Sequence, residues 1–174
     1  MIKTYIINGA GGVGKDQFIE FVTDELGEKY TYNISTVNIV KSIAYKIGWK
    51  GKKTPQDRKY LSDLKDMMTY WSDLPFNNVS ILTELQIEEW KESQIRDAAV
   101  FIHCREPNEI DRLVKRLGAE TILIIRDTDE IYINHADNEV FNYNYDFIID
   151  NNGTLEELKD SAATFVKRQI KAED

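Results

Sequence analysis

The sequence predicts a three-layer α/β domain, with helices on both faces of a five-stranded parallel sheet. Three observations carry that prediction. Short, nearly continuous apolar runs alternate with longer segments of helical apolar spacing, the pattern of strands buried on both faces and joined by helical crossovers. The first run, Tyr5-Ile6-Ile7, leads into a glycine-rich turn, and a helical pattern with Phe18, Ile19, Val22 and Leu26 follows. The 174 residues, 42% hydrophobic and 30% charged, suit one domain with a substantial core and not a disordered chain.

The elements follow in order. The first strand is expected over 3–8, and a helix over 14–26 that Gly27 closes. A short second strand falls at about 31–36. A helix over 37–47 then presents Val40, Ile43, Ala44 and Ile47 on one face and stops at Gly48. Thr54-Pro55, an N-cap with proline at the first helical position, opens a helix of about 55–71. It carries Tyr60, Leu61, Leu64, Met67, Met68 and Trp71. Leu74-Pro75-Phe76-Asn77-Asn78 is expected to break the run before a helix over 79–93. The alternation resumes with a strand over 98–104, a helix over 107–117 closed by Gly118, and a strand over 121–125. A polar segment, 127–144, precedes a strand over 145–149. The last helix, 154–170, starts with Thr154 and Glu157 spaced as a capping box.

The chemistry is concentrated in Gly9-Ala10-Gly11-Gly12-Val13-Gly14-Lys15-Asp16. Glycines in a strand-to-helix turn let backbone N–H groups face phosphate oxygens, because no Cβ obstructs the turn or the ligand. The helix behind adds its positive end. Lys15 can reach the β- and γ-phosphates as a point charge, and the spacing Gly9-x4-Gly14-Lys15 is that of the Walker A loop. Asp16 follows where Ser or Thr normally holds Mg²⁺. It either serves a hard cation itself or is a favourable charge in the first helical turn.

Ligands of parallel sheets sit beyond the carboxyl ends of the strands. That edge collects the glycine loop, Ser35-Thr36, Arg105 and Arg126. The net charge of −8 argues against nucleic acid as a partner but not against a small phosphate ligand in a locally basic cleft. No apolar run is long enough to span a bilayer, and the start, Met1-Ile2-Lys3-Thr4, runs straight into a strand, which predicts no signal peptide and no membrane partner. The single Cys104 fits a reducing cytoplasm, and the two histidines show no zinc spacing.

These motifs resemble the nucleoside monophosphate kinases of the P-loop superfamily, and most of all the phage-type deoxynucleoside monophosphate kinase group, over nearly the full length. Gly14-Lys15-Asp16 is similar to that group's form of the loop. Ile34-Ser35-Thr36 through Lys41 resembles the adenylate-kinase segment that meets the acceptor base and phosphate. Gly48-Trp49 through Arg58 resembles the group's acceptor-binding insertion, Arg105-Glu106-Pro107-Asn108-Glu109 its acceptor-holding stretch, and 134–139 its short lid. Asp150 through Thr154 resembles the turn near the donor adenine.

The resemblance implies one P-loop kinase domain over 1–174, with sheet order 2-3-1-4-5, a helical insertion at about 37–93 and a lid at about 127–144. It implies ATP as phosphoryl donor with Mg²⁺, and Gly9, Gly11, Gly12, Val13, Gly14, Lys15 and Asp16 as the ATP-binding residues, Asp16 also toward the metal. Thr36, Lys41, Arg58 and Arg105 would hold the acceptor; Lys15, Arg105 and Arg126 would act on the transferring group. The partners are small nucleotides, with room for a homodimer.

Two departures stand out. His103 replaces the group's aspartate, and Lys41 replaces an arginine, losing its bidentate fork. His103 reads as a satisfied core histidine, His135 as a phosphate contact or plain surface histidine, and Trp49, Trp71 and Trp90 as packing residues. Two other readings stay open: a kinase of another phosphorylated metabolite, such as phosphomevalonate, and an ATP-binding module without catalysis.

Overall fold

The computed structural model of the chain describes residues 1–127, 140 and 143–171. The strands β1 (Ile2–Asn8), β2 (Thr31–Ser35), β3 (Ala98–His103), β4 (Glu120–Ile125) and β5 (Phe147–Asp150) form one sheet in the order β2-β3-β1-β4-β5. Every pairing in it is parallel, as the sequence predicts. Between the strands run α1 (Lys15–Leu26), α2 (Asn38–Lys46), α3 (Pro55–Ser72), α4 (Leu74–Glu92) and α5 (Pro107–Leu117); α6 (Leu155–Phe165) follows β5.

The two-residue period of a strand divides the core into two layers. Tyr5 and Ile7 of β1, with Phe101, Ile122 and Ile124, pack on α1 and α6 through Phe18, Val22, Leu158 and Phe165. Ile6, Val100 and Ile102 point to the other face, against Phe76 and Val79 of α4 and Ile110 and Leu113 of α5. Strand β1 is therefore buried on both faces and hydrogen-bonded on both edges. The loop that follows it starts from the most fixed backbone in the sheet.

Local signals place most helix ends. Thr54 caps α3 in a capping box with Asp57, and Thr154 caps α6 in the expected one with Glu157. Gly118 closes α5 in the left-handed region, and Gly27 ends α1.

Five expectations need correction. Leu74–Asn78 does not break the helical run; it is the first turn of α4, where Pro75 lacks an N–H that would have had no partner anyway. The reversal happens at Asp73, at φ 53°, which ends α3 and starts α4 and whose carboxylate is gripped by Arg112 of α5. Trp71 is not a packing residue, since it is 83% exposed, and α3 has no fully buried residue. The last α-helix ends at Phe165 and passes into one π-helical turn, Val166–Ile170. Strand β5 begins at Phe147, not at 145, because Tyr145 leaves the ladder to hydrogen-bond the glycine loop's anchor. His103 is not a core residue: it ends β3 at the ligand edge of the sheet. The lid expected at 127–144 lies almost wholly outside the described residues, as does His135.

Candidate functional site

The glycine loop is seated by contacts that only glycine permits. At Gly9, with φ 146°, a Cβ would come within 2.5 Å of the Ile124 carbonyl oxygen of β4. At Gly14, with φ 98°, it would collide with the side-chain amide of Asn151. Above Gly11 and Gly12 the space is open. Close contact below and open space above make a concave backbone surface at the start of α1.

Two buried asparagines hold this loop from opposite ends. Asn8, the last residue of β1, accepts a hydrogen bond from the Gly9 N–H at 2.8 Å and donates to the Tyr145 hydroxyl at 2.8 Å. Burial pushes the Tyr145 phenol up to about 12, so it stays a neutral partner, and it donates to the Val140 carbonyl. Asn151, just after β5, donates from its side chain to the Val13 carbonyl at 2.8 Å and from its backbone to Ile125 at 2.8 Å. Thus the ends of β1, β4 and β5 are wired to the loop.

Lys15 bends back over the loop and donates to the Gly9 and Ala10 carbonyls at 2.7 and 2.6 Å. Its ammonium is thereby held over the glycines. Asp16 turns the other way and is 94% exposed at its side chain. Its Oδ1 lies 3.6 Å from Nε2 of His103, whose side chain is only 20% exposed. The main-chain carbonyl of His103 accepts from the Thr36 N–H at 3.2 Å and the Ser35 hydroxyl at 3.4 Å, which joins the ends of β2 and β3.

The electrostatics of His103 map its neighbours. Burial lowers its pKa; Asp16 pulls it up; Lys15, Lys41 and Arg105 each push it down. Three cations from separate parts of the chain therefore share one field beside the loop. Arg105 follows β3, and its carbonyl receives a second, longer bond from Asn8 at 3.4 Å. Lys41 lies exposed in the first turns of α2.

The three other predicted residues come from the β2–α2 turn, α3 and the end of β4. Thr36 is buried at the β2–α2 turn. Arg58 is exposed in the first turn of α3, beside Asp57, whose carboxyl is held below its usual range by the Thr54 hydroxyl and by the Trp49 indole N–H. Arg126 leaves β4 between two latched backbone positions, with the Ile125 carbonyl bound by Asn151 and the Asp127 N–H bound by Asn152. Arg126 is among the residues lining a cavity of about 480 Å³, with Tyr143, Tyr145, Leu123 and Ile148.

Sequence reasoning missed Asn8, the hold of Asn151 on Val13 and a part-buried ion pair between Lys65 of α3 and Glu109 of α5, 2.7 Å apart. A polar residue closing an apolar strand was the available signal for Asn8. Nothing in local spacing links residue 65 to residue 109. The pair pins the helices between β2 and β3 to the core, and the buried Cys104 thiol donates to the same Glu109 oxygen at 3.3 Å.

The donor set suits a divalent cation carried by phosphates: an open carboxylate directly after the phosphate-facing turn. Asp16 is the residue that would face it. Among the described residues no helix is long and apolar enough to cross a membrane, and no cluster of three metal-binding side chains exists.

No family model matches the sequence, and no curated protein does. Solved structures do. A gluconokinase from Sinorhizobium meliloti 1021 matches 97% of this chain and 94% of its own, at 12% identity and a TM-score of 0.50. A shikimate kinase from Aquifex aeolicus vf5 matches 91% and 92%, at 9% identity and a TM-score of 0.50. With the strand order and the glycine loop, these likenesses establish a P-loop kinase fold.

Proposed function

We propose that this chain is a kinase that transfers the γ-phosphoryl group of ATP to a (deoxy)nucleoside monophosphate, giving ADP and the diphosphate. The observation that supports this most is the glycine loop, seated by Asn8 and Asn151 with the Lys15 ammonium held over Gly9 and Ala10. Phosphoryl transfer asks little covalent work of a protein. It needs two anions brought into line and their charge offset as the group moves.

In this reading the backbone of Gly9, Gly11, Gly12, Val13 and Gly14 and the ammonium of Lys15 hold the ATP phosphates. Asp16 would hold Mg²⁺, which would supply charge neutralisation at the nucleotide phosphates. Lys41, Arg105 and Arg58 hold the acceptor phosphate, with Thr36 toward the base. An acceptor phosphate oxygen forms the new bond to the γ-phosphorus as the bond to the bridging oxygen breaks. ADP leaves with that electron pair, and Arg126 offsets charge on the group in flight. The cytoplasm, small nucleotides as partners and a homodimer belong to the same proposal.

The test is ADP release from ATP against a panel of ribo- and deoxyribonucleoside monophosphates, with gluconate, shikimate and phosphomevalonate included. The expected result is release that depends on one or a few of the nucleotides. Release driven only by a non-nucleotide acceptor would make the chain a kinase of another metabolite. ATP binding with no acceptor-dependent release would make it a nucleotide-binding module.

A further inference from the structure

The geometry points to a mixed carboxylate–imidazole site, Asp16 with His103, that ligates the cation of the bound nucleotide and favours Mn²⁺ over Mg²⁺. This rests on the proposed nucleotide site and goes beyond it, by adding His103 as a ligand and by choosing the metal.

The two donor atoms, Asp16 Oδ1 and His103 Nε2, are 3.6 Å apart, too far for a hydrogen bond. Adjacent ligands of one metal ion stand about 3 Å apart when each bond is roughly 2.1 Å, so a small side-chain movement brings both into one coordination shell. Neither side chain makes a hydrogen bond among the described residues, so neither must break one to bind. The two residues reach this place from separate elements. Asp16 is in the first turn of α1 directly behind Lys15, and His103 is the last residue of β3. The exposed carboxylate is free to turn; the half-buried imidazole is held by its strand, whose end is tied to β2 through the Thr36 N–H.

The donor chemistry selects the ion. Mg²⁺ prefers an all-oxygen shell, and imidazole is a poor ligand for it. Mn²⁺ shares the preference of Mg²⁺ for carboxylate and phosphate oxygens but, as a first-row transition ion, tolerates an imidazole nitrogen in the same shell. The surroundings set when it binds. Lys15, Lys41 and Arg105 all act at His103, so a free cation meets three positive charges there. Phosphates reverse that field. Metal and nucleotide should therefore bind with strong positive coupling, and the metal alone weakly.

The experiment uses the full chain with its histidines labelled with ¹⁵N, a non-hydrolysable ATP analogue, and Mn²⁺ observed by pulsed electron paramagnetic resonance. The chain has two histidines, so each is replaced in turn. A ¹⁵N coupling to Mn²⁺ is expected in the ternary complex, lost in His103→Gln and kept in His135→Gln. Analogue affinity is also measured with Mn²⁺ and with Mg²⁺. The Mn²⁺ advantage should fall at least about 10-fold in His103→Gln, since even outer-shell losses cost that much, while metal-free analogue binding reports an intact loop. Analogue binding without ¹⁵N coupling would overturn the Asp16–His103 site and leave the kinase reading standing. Coupling that survives in His103→Gln would do the same. Failure of the analogue to bind with any metal would overturn both.

Discussion

Replacing Lys65 by Met should cost the protein about 3–5 kcal/mol, far more than a surface ion pair would. The figure follows from where the pair sits. Side-chain exposure is 16% at Lys65 and 9% at Glu109, with 2.7 Å between nitrogen and oxygen. Exposed pairs are worth about 0–1 kcal/mol because water screens them. Here Met keeps the apolar stem and removes only the charge, leaving a buried carboxylate that, among the described residues, keeps a thiol as donor at 3.3 Å. Burial alone would lower the Lys65 pKa, but the charge and hydrogen bond of Glu109 outweigh it and the net shift is upward. The ammonium's contribution is therefore complete below its unfolded value of about 10.4 and is lost only as pH rises through the higher folded one. Urea unfolding at neutral pH, followed by circular dichroism, measures the cost as the midpoint shift multiplied by the slope. The double variant Lys65→Met/Glu109→Leu removes both charges and should recover to within about 1–2 kcal/mol of the parent. A single-variant cost below about 1 kcal/mol, or a double variant no better than the single, would show that the pair is solvated and does not pin α3 to α5.

Asn151→Leu keeps the side chain's size and strips the Val13 carbonyl of its partner, a loss of about 1–3 kcal/mol that falls on the loop. ATP-analogue binding should weaken about 10- to 100-fold, with unfolding destabilised by no more than the same about 1–3 kcal/mol; an affinity within twofold of the parent would show that the loop seats itself. Two tryptophans should behave oppositely. Trp71→Ser, at an exposed position, should leave unfolding within about 0.5 kcal/mol, whereas Trp90→Phe, which strands the Lys29 carbonyl beneath a buried ring, should cost about 1–3 kcal/mol. Equal costs for the two in the same urea titration would contradict the burial assigned to them.

Periodicity made the parallel sheet legible, because β1, β3 and β4 are near-continuous apolar runs buried in its middle, whereas the strand order came from the family resemblance. The glycine loop was legible because its residues are contiguous. Pro75 misled because proline reads as a breaker, yet its missing N–H is harmless in a first turn; the signal for the reversal was Asp73, a residue that tolerates the left-handed region. Trp71 misled because helical spacing identifies a face and not what covers it. Asn151 on Val13, Lys65 on Glu109 and Asp16 facing His103 join residues distant in the chain. Each depends on where the strands end once packed, which no local window contains.

Strand β1 is first in the chain and central in the sheet, between partners that begin at Ala98 and Glu120. During synthesis the glycine turn emerges long before the walls that shape it, and the amide that seats Val13 follows only at residue 151. The capacity to grip a polyphosphate thus belongs to the completed sheet. A nascent chain halted short of β5 would carry the motif's letters without its latch, and an excised amino-terminal peptide would be a limp ribbon.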